Sequence, residues 1–570
     1  MKFCKDVRDK RMERTARNIL LFLEKKTDDF QNRVALGIRT AHGWNEFTYK
    51  GIGRLSRKIA CYLIHNIGVK KGQRLAILSE SRPEYGGAVF ASVMSGMVTV
   101  PLDIKLTKYE LKSIMSDCLP TVLVVSSHYA EMAKELKKEI PSIEHIITLD
   151  SCSCGCDVVS INDMPQNYES KWKHRSSKST ALIIYTSGTT GAPKGVEISF
   201  NNMLTQLNDI ADLYKEFFGK RKVSSILSIL PMNHLFELTV GFSALLSWGL
   251  SIYYTKSLKP KDILSVMQEK KVNFMIVVPA FLKLLKTSIE AEVKNLPPFA
   301  QAIFKTMLFI SKYIPSYRVR KLMFAKIHKK FGGNFFGCIS GGAPLDVSVG
   351  EFFERIGIRV FQGYGLTETS PVVSVNYDKR HDIASVGRPL MSVQAKVDPS
   401  TGELLLKGPS VMKGYYNQPE LTASVMTEDG WLKTGDIANI DKDGHIHITG
   451  RIKNMIVLSG GKKVFPEEVE AVLGESEHFA EVCVFGSSRT TGAKEGTEDI
   501  VAVIVPTEHF VSTCSNQAEL ERKVREEVKL LSCHLAAYKR PVNIVVLKDP
   551  LPKTTTRKIK RKEVKELVNA

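Results

Sequence analysis

A chain of 570 residues with 43% apolar content can bury several cores, and at about 150 residues per domain it divides into three or four structural units. Its 80 Lys and Arg against 60 Asp and Glu leave a net charge of +20, which suits an acidic surface or partner, while a charged fraction of 25% is that of a folded chain rather than a disordered one. Ten cysteines scattered over this length fit reduced thiols better than a disulfide framework.

The N-terminal residues MKFCKDVRDKRMERTARN are charged and hold no signal-peptide core, so synthesis for the cytoplasm is the expectation. Alternating α and β patterns follow to about Gly450, with strand-like runs at 74–78, 121–125, 274–278 and 358–361 separated by helical stretches. The cluster CSCGC, Cys152 to Cys156, is spaced more tightly than usual zinc ligands and lies in a Ser/Asp loop. Directly after the apolar run 181–184 comes YTSGTTGAPKG. Thr186, Ser187, Thr189 and Thr190 offer hydroxyls there, Gly188 and Gly191 let backbone N–H groups approach anionic oxygens, and Lys194 adds a charge. That is a polyphosphate loop or, at its plainest, a Ser/Gly-rich connector. A P-loop is excluded, because Gly195 and not Ser or Thr follows Lys194.

The stretch 235–254 is nearly continuous apolar sequence, but Glu237 and Gly249 interrupt it, which predicts a buried helix and then a buried strand rather than a membrane span. From 293 to 341 the chain carries nine Lys and Arg and no acid. Ile303, Met307, Ile310 and Ile314 form a helical stripe there, with Lys305 and Lys312 opposite. The pattern fits either a helix touching an anionic membrane or a packed helix with a solvated basic face. Then come SGGAPL at 340–345, QGYGLTETSP at 362–371, GWLKTGD ending in Asp436, and a hairpin ending at Arg451. From Asn454 the pattern changes to a compact α+β unit. Its strands are expected near 482–485, 500–505 and 544–547, with a charged amphipathic helix at 517–532. The chain closes with LPKTTTRKIKR at 551–561.

The order and spacing of these segments resembles the adenylate-forming superfamily of acyl-CoA synthetases, luciferases and peptide-synthetase adenylation domains, over nearly the whole chain. The resemblance implies an α/β fold with a large N-terminal domain of layered sheets and flanking helices, residues 1–452, and a small mobile α+β lid, residues 453–570. It implies ATP, Mg2+ and coenzyme A as cofactor and cosubstrates. The loop from Thr186 to Lys194 would hold the β- and γ-phosphates, and Gly341, Gly342, Ala343 and Pro344 would wall the adenine pocket. Tyr364, within the loop that Gln362, Gly363 and Gly365 shape, would stack on adenine. Thr367 would bond the α-phosphate or the acyl carboxylate, and Glu368, with Thr186, would hold Mg2+. Asp436 would accept from the ribose hydroxyls beside Arg451, and Lys558 would bridge ribose, phosphate and carboxylate. Singly, Glu368 and Asp436 also suit caps or turns, and Lys558 a solvated basic tail.

His234, in LPMNHLFEL, would face the acyl carboxylate or its channel, unless it is a satisfied core histidine. Lys453 occupies the hinge position, and Gly460 and Gly461 would approach a pantetheine arm. One departure is visible: Arg557 stands where the family's final motif has glycine before its lysine. The length of the basic insert resembles long-chain fatty acyl-CoA synthetases. The function expected is therefore a long-chain fatty acid:CoA ligase, cytoplasmic and peripheral on the inner face of the membrane. An acyl carrier protein as acceptor and a noncatalytic nucleotide-binding scaffold are the alternatives, and no nucleic-acid module is visible.

Overall fold

Short aliphatic runs bounded by Gly, Pro and Asn become the buried strands of two large sheets, one of nine strands and one of eight among the described residues. The computed structural model describes residues 26–41, 43–151, 158–165, 172–186, 193–219, 221–255, 257–377, 381–458, 462–488, 498–554 and 558–569. In the nine-stranded sheet, Ser225–Ser228, Ser251–Tyr254, Phe274–Val277, Gly337–Ser340 and Arg359–Tyr364 run parallel. Val277 pairs with Ser340, and Ser340 with Gln362. The next residues in each strand, Val278, Gly341 and Gly363, therefore emerge side by side at one edge, the carboxyl end where parallel sheets present ligand sites.

The eight-stranded sheet is parallel through Arg74–Leu78, Val98–Pro101, Val122–Val125 and His145–Thr148. Thr180–Thr186 joins it parallel to Val98–Pro101, then folds back antiparallel into Lys194–Ser199, with Thr186 opposite Lys194. The hydroxyl-rich loop thus connects two strands, which is why it lacks the helix that a P-loop opens. Gly414–Tyr415 adds to the far edge of this hairpin. Helices fill the space around both sheets. Every position of Pro83–Met94 is buried, and its Phe90 stacks on Phe242 at 5.1 Å. Each such buried aromatic contributes roughly 1.5–3 kcal/mol of transfer free energy.

The apolar stretch expected as helix then strand folds that way, as the π-helical Glu237–Ala244, one turn at Leu245–Ser247, and Ser251–Tyr254. Among the described residues no helix is long and apolar enough to cross a membrane. The stripe expected in the basic insert is split between two faces. In the helix Pro298–Ser311 it is Phe304, Met307 and Leu308 that pack inward, while Ile303 and Ile310 stand 43% and 47% exposed. The ring of Phe304 meets Phe324 edge-on at 5.7 Å, and that aromatic contact, not the isoleucine row, sets the rotation of the helix. Ile314 lies past its end.

A four-stranded antiparallel sheet, Gln394–Val397, Glu403–Lys407, Leu432–Ile440 and Ile446–Arg451, follows, with Asp436 directly opposite Arg451. After one turn at Ile452–Asn454 the chain builds its last unit on Phe479–Ser488, Glu498–Pro506 and Asn543–Val546. Alternate residues of these strands feed two separate apolar clusters. Val484, Ile500 and Ala502 pack with Val469, Leu520 and Val524, whereas Cys483, Val501 and Val503 pack with Leu551 and Val564. The strands and the helix Gln517–Leu531 fall where the sequence pattern puts them. Gly450 lets this unit dock. A Cβ there would stand 2.7 Å from Phe465, the residue before the helix Pro466–Leu473.

Candidate functional site

The three residues that the sheet register aligns, Val278, Gly341 and Gly363, line one wall of a cavity of about 690 Å3. Thr186 and Lys194 reach it from the feet of the antiparallel hairpin, and His234 and Phe236 from the segment entering the π-helix. Gly342, Tyr364, Gly365, Thr367 and Glu368 come from the loops after the parallel strands, and Arg451 and Lys453 from the turn between the two units. The loop through Tyr364 is tight for a stated reason. A Cβ on Gly365 would lie 1.9 Å from the carbonyl oxygen of Pro371, so only glycine lets the chain fold back on itself there. Thr369 then closes the turn, its hydroxyl accepting from the Leu366 N–H and donating to the Leu366 carbonyl, both at 2.9 Å.

The acids of the site are held by aromatic hydroxyls. Glu368 Oε1 accepts from Tyr415 OH at 2.8 Å, and the Lys194 ammonium lies 5.9 Å from the centre of that ring. Asp436 is almost fully buried. Its Oδ2 accepts from Tyr364 OH at 2.6 Å and its Oδ1 from Arg451 Nε at 2.7 Å. A carboxylate offers about four lone-pair directions, so both oxygens keep capacity for a further donor. Burial, and then the Asp436 charge, hold the Tyr364 phenol well above its ordinary pKa, so it remains a donor.

Arg451 is thus paired with Asp436, but among the described residues no carboxylate forms an ion pair with Lys194, Lys453 or Lys558. Lys558 sits in a hairpin closed by its own N–H on Thr554 Oγ1 at 3.1 Å and by the Thr554 N–H on its carbonyl at 2.8 Å. Both feet of that hairpin are clamped. Glu481 takes the Leu551 N–H at 2.9 Å and pairs with Lys553, while the Arg561 guanidinium grips both oxygens of Glu470 at 2.7 and 2.8 Å. Lys560 pairs with Glu563 at 2.7 Å. Lys558 alone of these three lysines makes no ion pair among the described residues, and it points among Arg451, Lys453 and Asp436. Part of its surface stays open to the cleft, yet its pKa is pushed down to about 8. Burial is the main cause, followed by the positive charge of Arg451, with Asp436 opposing and Lys453 and Arg561 adding to the fall. Lys453 is lowered for the same reasons, burial first and Arg451 next, with Lys194 contributing. Mutual repulsion among Lys194, Arg451, Lys453 and Lys558 is what a bound polyanion would relieve. Burial also lowers His234, whose half-buried imidazole feels Asp103 and Lys105.

Most of the expected residues meet here, but not all. Gln362 is turned away, its amide donating to the Ile383 carbonyl, so it fixes the strand and does not line the cavity. Ala343 and Pro344 continue past Gly342 without lining it. Ser187, Gly188, Thr189, Thr190, Gly191, Gly460, Gly461, Arg557 and the Cys152 to Cys156 cluster lie outside the described residues. None of the six described cysteines is in a disulfide. Sequence reasoning missed Tyr415 and Glu403. Glu403 accepts from the Gly435 N–H at 2.7 Å and so shapes the turn before Asp436. The aromatic pair at 415–416 was the only signal for Tyr415, and nothing local says that it returns to the edge of a hairpin more than two hundred residues earlier.

A sequence profile described as AMP-binding enzyme matches residues 23–416, and one described as AMP-binding enzyme C-terminal domain matches residues 468–558. The chain belongs to the AMP-binding enzyme family. A long-chain-fatty-acid–CoA ligase of Escherichia coli O6:H1 is 28% identical to it over 561 residues, 91% of this chain and 90% of that protein. Among solved structures, ATP-bound MatB from Rhodopseudomonas palustris superposes with a TM-score of 0.74 at 24% identity, covering 96% of this chain and 98% of its own. The O-succinylbenzoate coenzyme A synthetase MenE from Bacillus subtilis, solved with ATP and magnesium ion, gives 0.71 at 23%, covering 95% and 99%. This AMP-binding enzyme accordingly has the adenylate-forming fold that its motifs imply, with a large sheet domain and a smaller C-terminal one. It is a ligase of the acid–CoA ligase superfamily.

Proposed function

We propose that this AMP-binding enzyme is a long-chain fatty acid:CoA ligase acting in two half-reactions, with ATP, Mg2+ and coenzyme A as cofactor and cosubstrates. The observation that carries the proposal is the convergence of Lys194, Arg451 and Lys453 on one cavity that Tyr364, Thr367 and Glu368 also line, with Lys558 within electrostatic reach of Arg451 and Lys453. In the first half-reaction a carboxylate oxygen attacks the α-phosphorus and pyrophosphate leaves with the electron pair of the broken P–O bond. Two anions must approach, and Lys558 is placed to offset their repulsion, aided by the Thr367 hydroxyl. Tyr364 and the Gly341–Gly342 pair would receive adenine, and Asp436 the ribose hydroxyls. Among the described residues no three His, Cys, Asp or Glu side chains cluster tightly enough to hold a metal unaided. Glu368 and Thr186, both on the cavity wall, would complete the shell of a Mg2+ ion that shields phosphate charge.

In the second half-reaction the thiolate sulfur of coenzyme A attacks the acyl carbonyl and AMP departs. Lys453 lies in the turn that links residues 1–452 to residues 453–570, and rotation there would withdraw Lys558 and bring in the loop bearing Gly460 and Gly461. The fatty-acid assignment is supported by the long-chain relative matched over most of both chains and by the basic insert, whose substrate source would be the inner face of an anionic membrane. The net charge of +20 favours a second reading for the acceptor alone, an acidic acyl carrier protein presenting the same pantetheine thiol. ATP–pyrophosphate exchange across a panel of acids, followed by thioester formation with free coenzyme A or with carrier protein, tests both. No exchange with any acid would make the chain a nucleotide-binding scaffold.

A further inference from the structure

Eight of the eighteen exposed large hydrophobic side chains among the described residues fall between Leu296 and Leu322, a concentration that chance exposure over the surface does not produce. Five belong to one helix and its last turn. At about 100° per residue, Phe299, Ile303 and Ile310 of Pro298–Ser311 lie within about 40° of one another, on the side opposite Phe304, Leu308 and Ser311. Tyr313 continues that line, and Phe309 borders it, its ring 5.7 Å from that of Tyr313. Phe299, Phe309 and Tyr313 are 78%, 64% and 69% exposed. The helix is therefore apolar on both sides, one packed on the core and one facing outward, and a solvated basic face does not describe it.

Charge chooses the occupant. Of the nine Lys and Arg between 293 and 341, Lys294 and Lys330 pair with Glu477 and Glu292, and Arg320 and Lys321 are spent on backbone carbonyls. Lys305, Lys312, Arg318, Lys326 and Lys329 make no ion pair among the described residues, and no acid interrupts the segment. Lys305 and Lys312 flank the apolar face on the side of Phe309, where their long stems can lie along it while the ammonium groups reach past it. Glu477, which Lys294 holds, is an acid that feels Lys305, and exposed aromatics beside lysines that no carboxylate pairs among the described residues are the complement of lipid headgroups carrying negative charge over an acyl layer.

We propose that the outward face of the helix Pro298–Ser311, with Tyr313, docks this enzyme on an anionic lipid bilayer. The preceding helix, Pro279–Lys294, is about 24 Å long and starts beside Val278 in the cavity wall, so docking ties the bilayer to the site through one rigid element. The proposal extends the fatty-acid assignment, but vesicle binding is measured without acid or ATP, so either can fail without the other.

Flotation of the full chain with phosphatidylglycerol and with phosphatidylcholine vesicles tests it. The native chain should float with phosphatidylglycerol and be released by salt, and should bind phosphatidylcholine at least tenfold more weakly. The triple variant Phe299→Ser, Phe309→Ser, Tyr313→Ser and the pair Lys305→Glu, Lys312→Glu should each lose at least tenfold in partition while keeping ATP–pyrophosphate exchange in detergent. Because Lys305 and Lys312 are exposed and unpaired, the second variant stays informative if the first misfolds. Absent or lipid-independent binding by the native chain, or undiminished binding by the lysine pair, would overturn the proposal. So would a native dimer that the triple variant dissociates without change in flotation, which would assign the face to a second copy.

Discussion

Replacing Lys558 by alanine separates the two half-reactions. Among the described residues of its hairpin, Lys558 is the cation that no carboxylate holds, and it feels the charges of Arg451, Lys453 and Asp436. Loss of one preorganised charge at a transition state costs about 3 kcal/mol, so ATP–pyrophosphate exchange should fall about 100- to 1,000-fold. Thioester formation from supplied acyl-adenylate should stay within a few-fold, because in the proposed mechanism Lys558 has left the site by that step. The pH dependence has a definite sign. The charged ammonium is the active form, and its pKa is depressed to about 8. For the free enzyme, kcat/KM for exchange should decline as pH rises through about 8, and Lys558→Arg should remove that limb. Stability moves the other way. The folded chain disfavours the charge, so its cost is full below about pH 8 and is lifted as pH rises from there toward the ordinary 10.5. Lys558→Ala should then melt no lower than the native chain at pH 7. After allowance for its open surface the gain is at most about 1 kcal/mol. Equal damage to both half-reactions, or a destabilised variant, would refute the assignment.

Proline at position 453 should trap the hinge, since it fixes its own φ and restricts Ile452, so Lys453→Pro should keep exchange and lose transfer to coenzyme A; full turnover in a variant with an unchanged melting profile would place the pivot elsewhere. Acyl-chain length should register in kcat/KM. Each buried methylene contributes up to about 0.8 kcal/mol, so activity should climb by tenfold or more from about eight to about sixteen carbons, and a profile peaking at acetate or benzoate would exclude a fatty-acid substrate.

What could be read in the sequence was what is local. The strands 74–78 and 500–505 announce themselves by composition, and the segments holding Thr367, Glu368 and Asp436 by their crowding of glycine, hydroxyl and carboxylate. What could not be read depends on partners distant in the chain. Gln362 opens a site motif, yet its amide is taken by Ile383. Tyr415 has no motif of its own, yet it holds Glu368 because a two-residue strand pairs with Val196. The rotation of the helix Pro298–Ser311 turned on Phe304 finding Phe324, and a stripe count on the helix alone cannot register an aromatic partner on another helix. The clamps on the Lys558 hairpin, Glu481 and Glu470, are likewise invisible in a basic tail that reads as solvated.

The repulsion recorded in the lysines bears on why a lid should move at all. Burial first, and then the positive charge of Arg451, make Lys558 and Lys453 costly to hold as ammonium ions, which lowers the pKa of both. ATP with its Mg2+ and the acid brings about three net negative charges into that cluster, and the acyl-adenylate left after pyrophosphate departs keeps about one. On the proposed mechanism, the attraction that holds the Lys558 hairpin near the cavity therefore weakens as a direct consequence of the first half-reaction, without any separate signal. If so, ATP should slow amide hydrogen exchange in the hairpin around Lys558 far more than AMP does at equal saturation. The difference should shrink in Lys558→Ala, where one of the repelling charges is gone. Equal protection by the two nucleotides in the native chain would mean that the position of the lid is set by contacts other than charge.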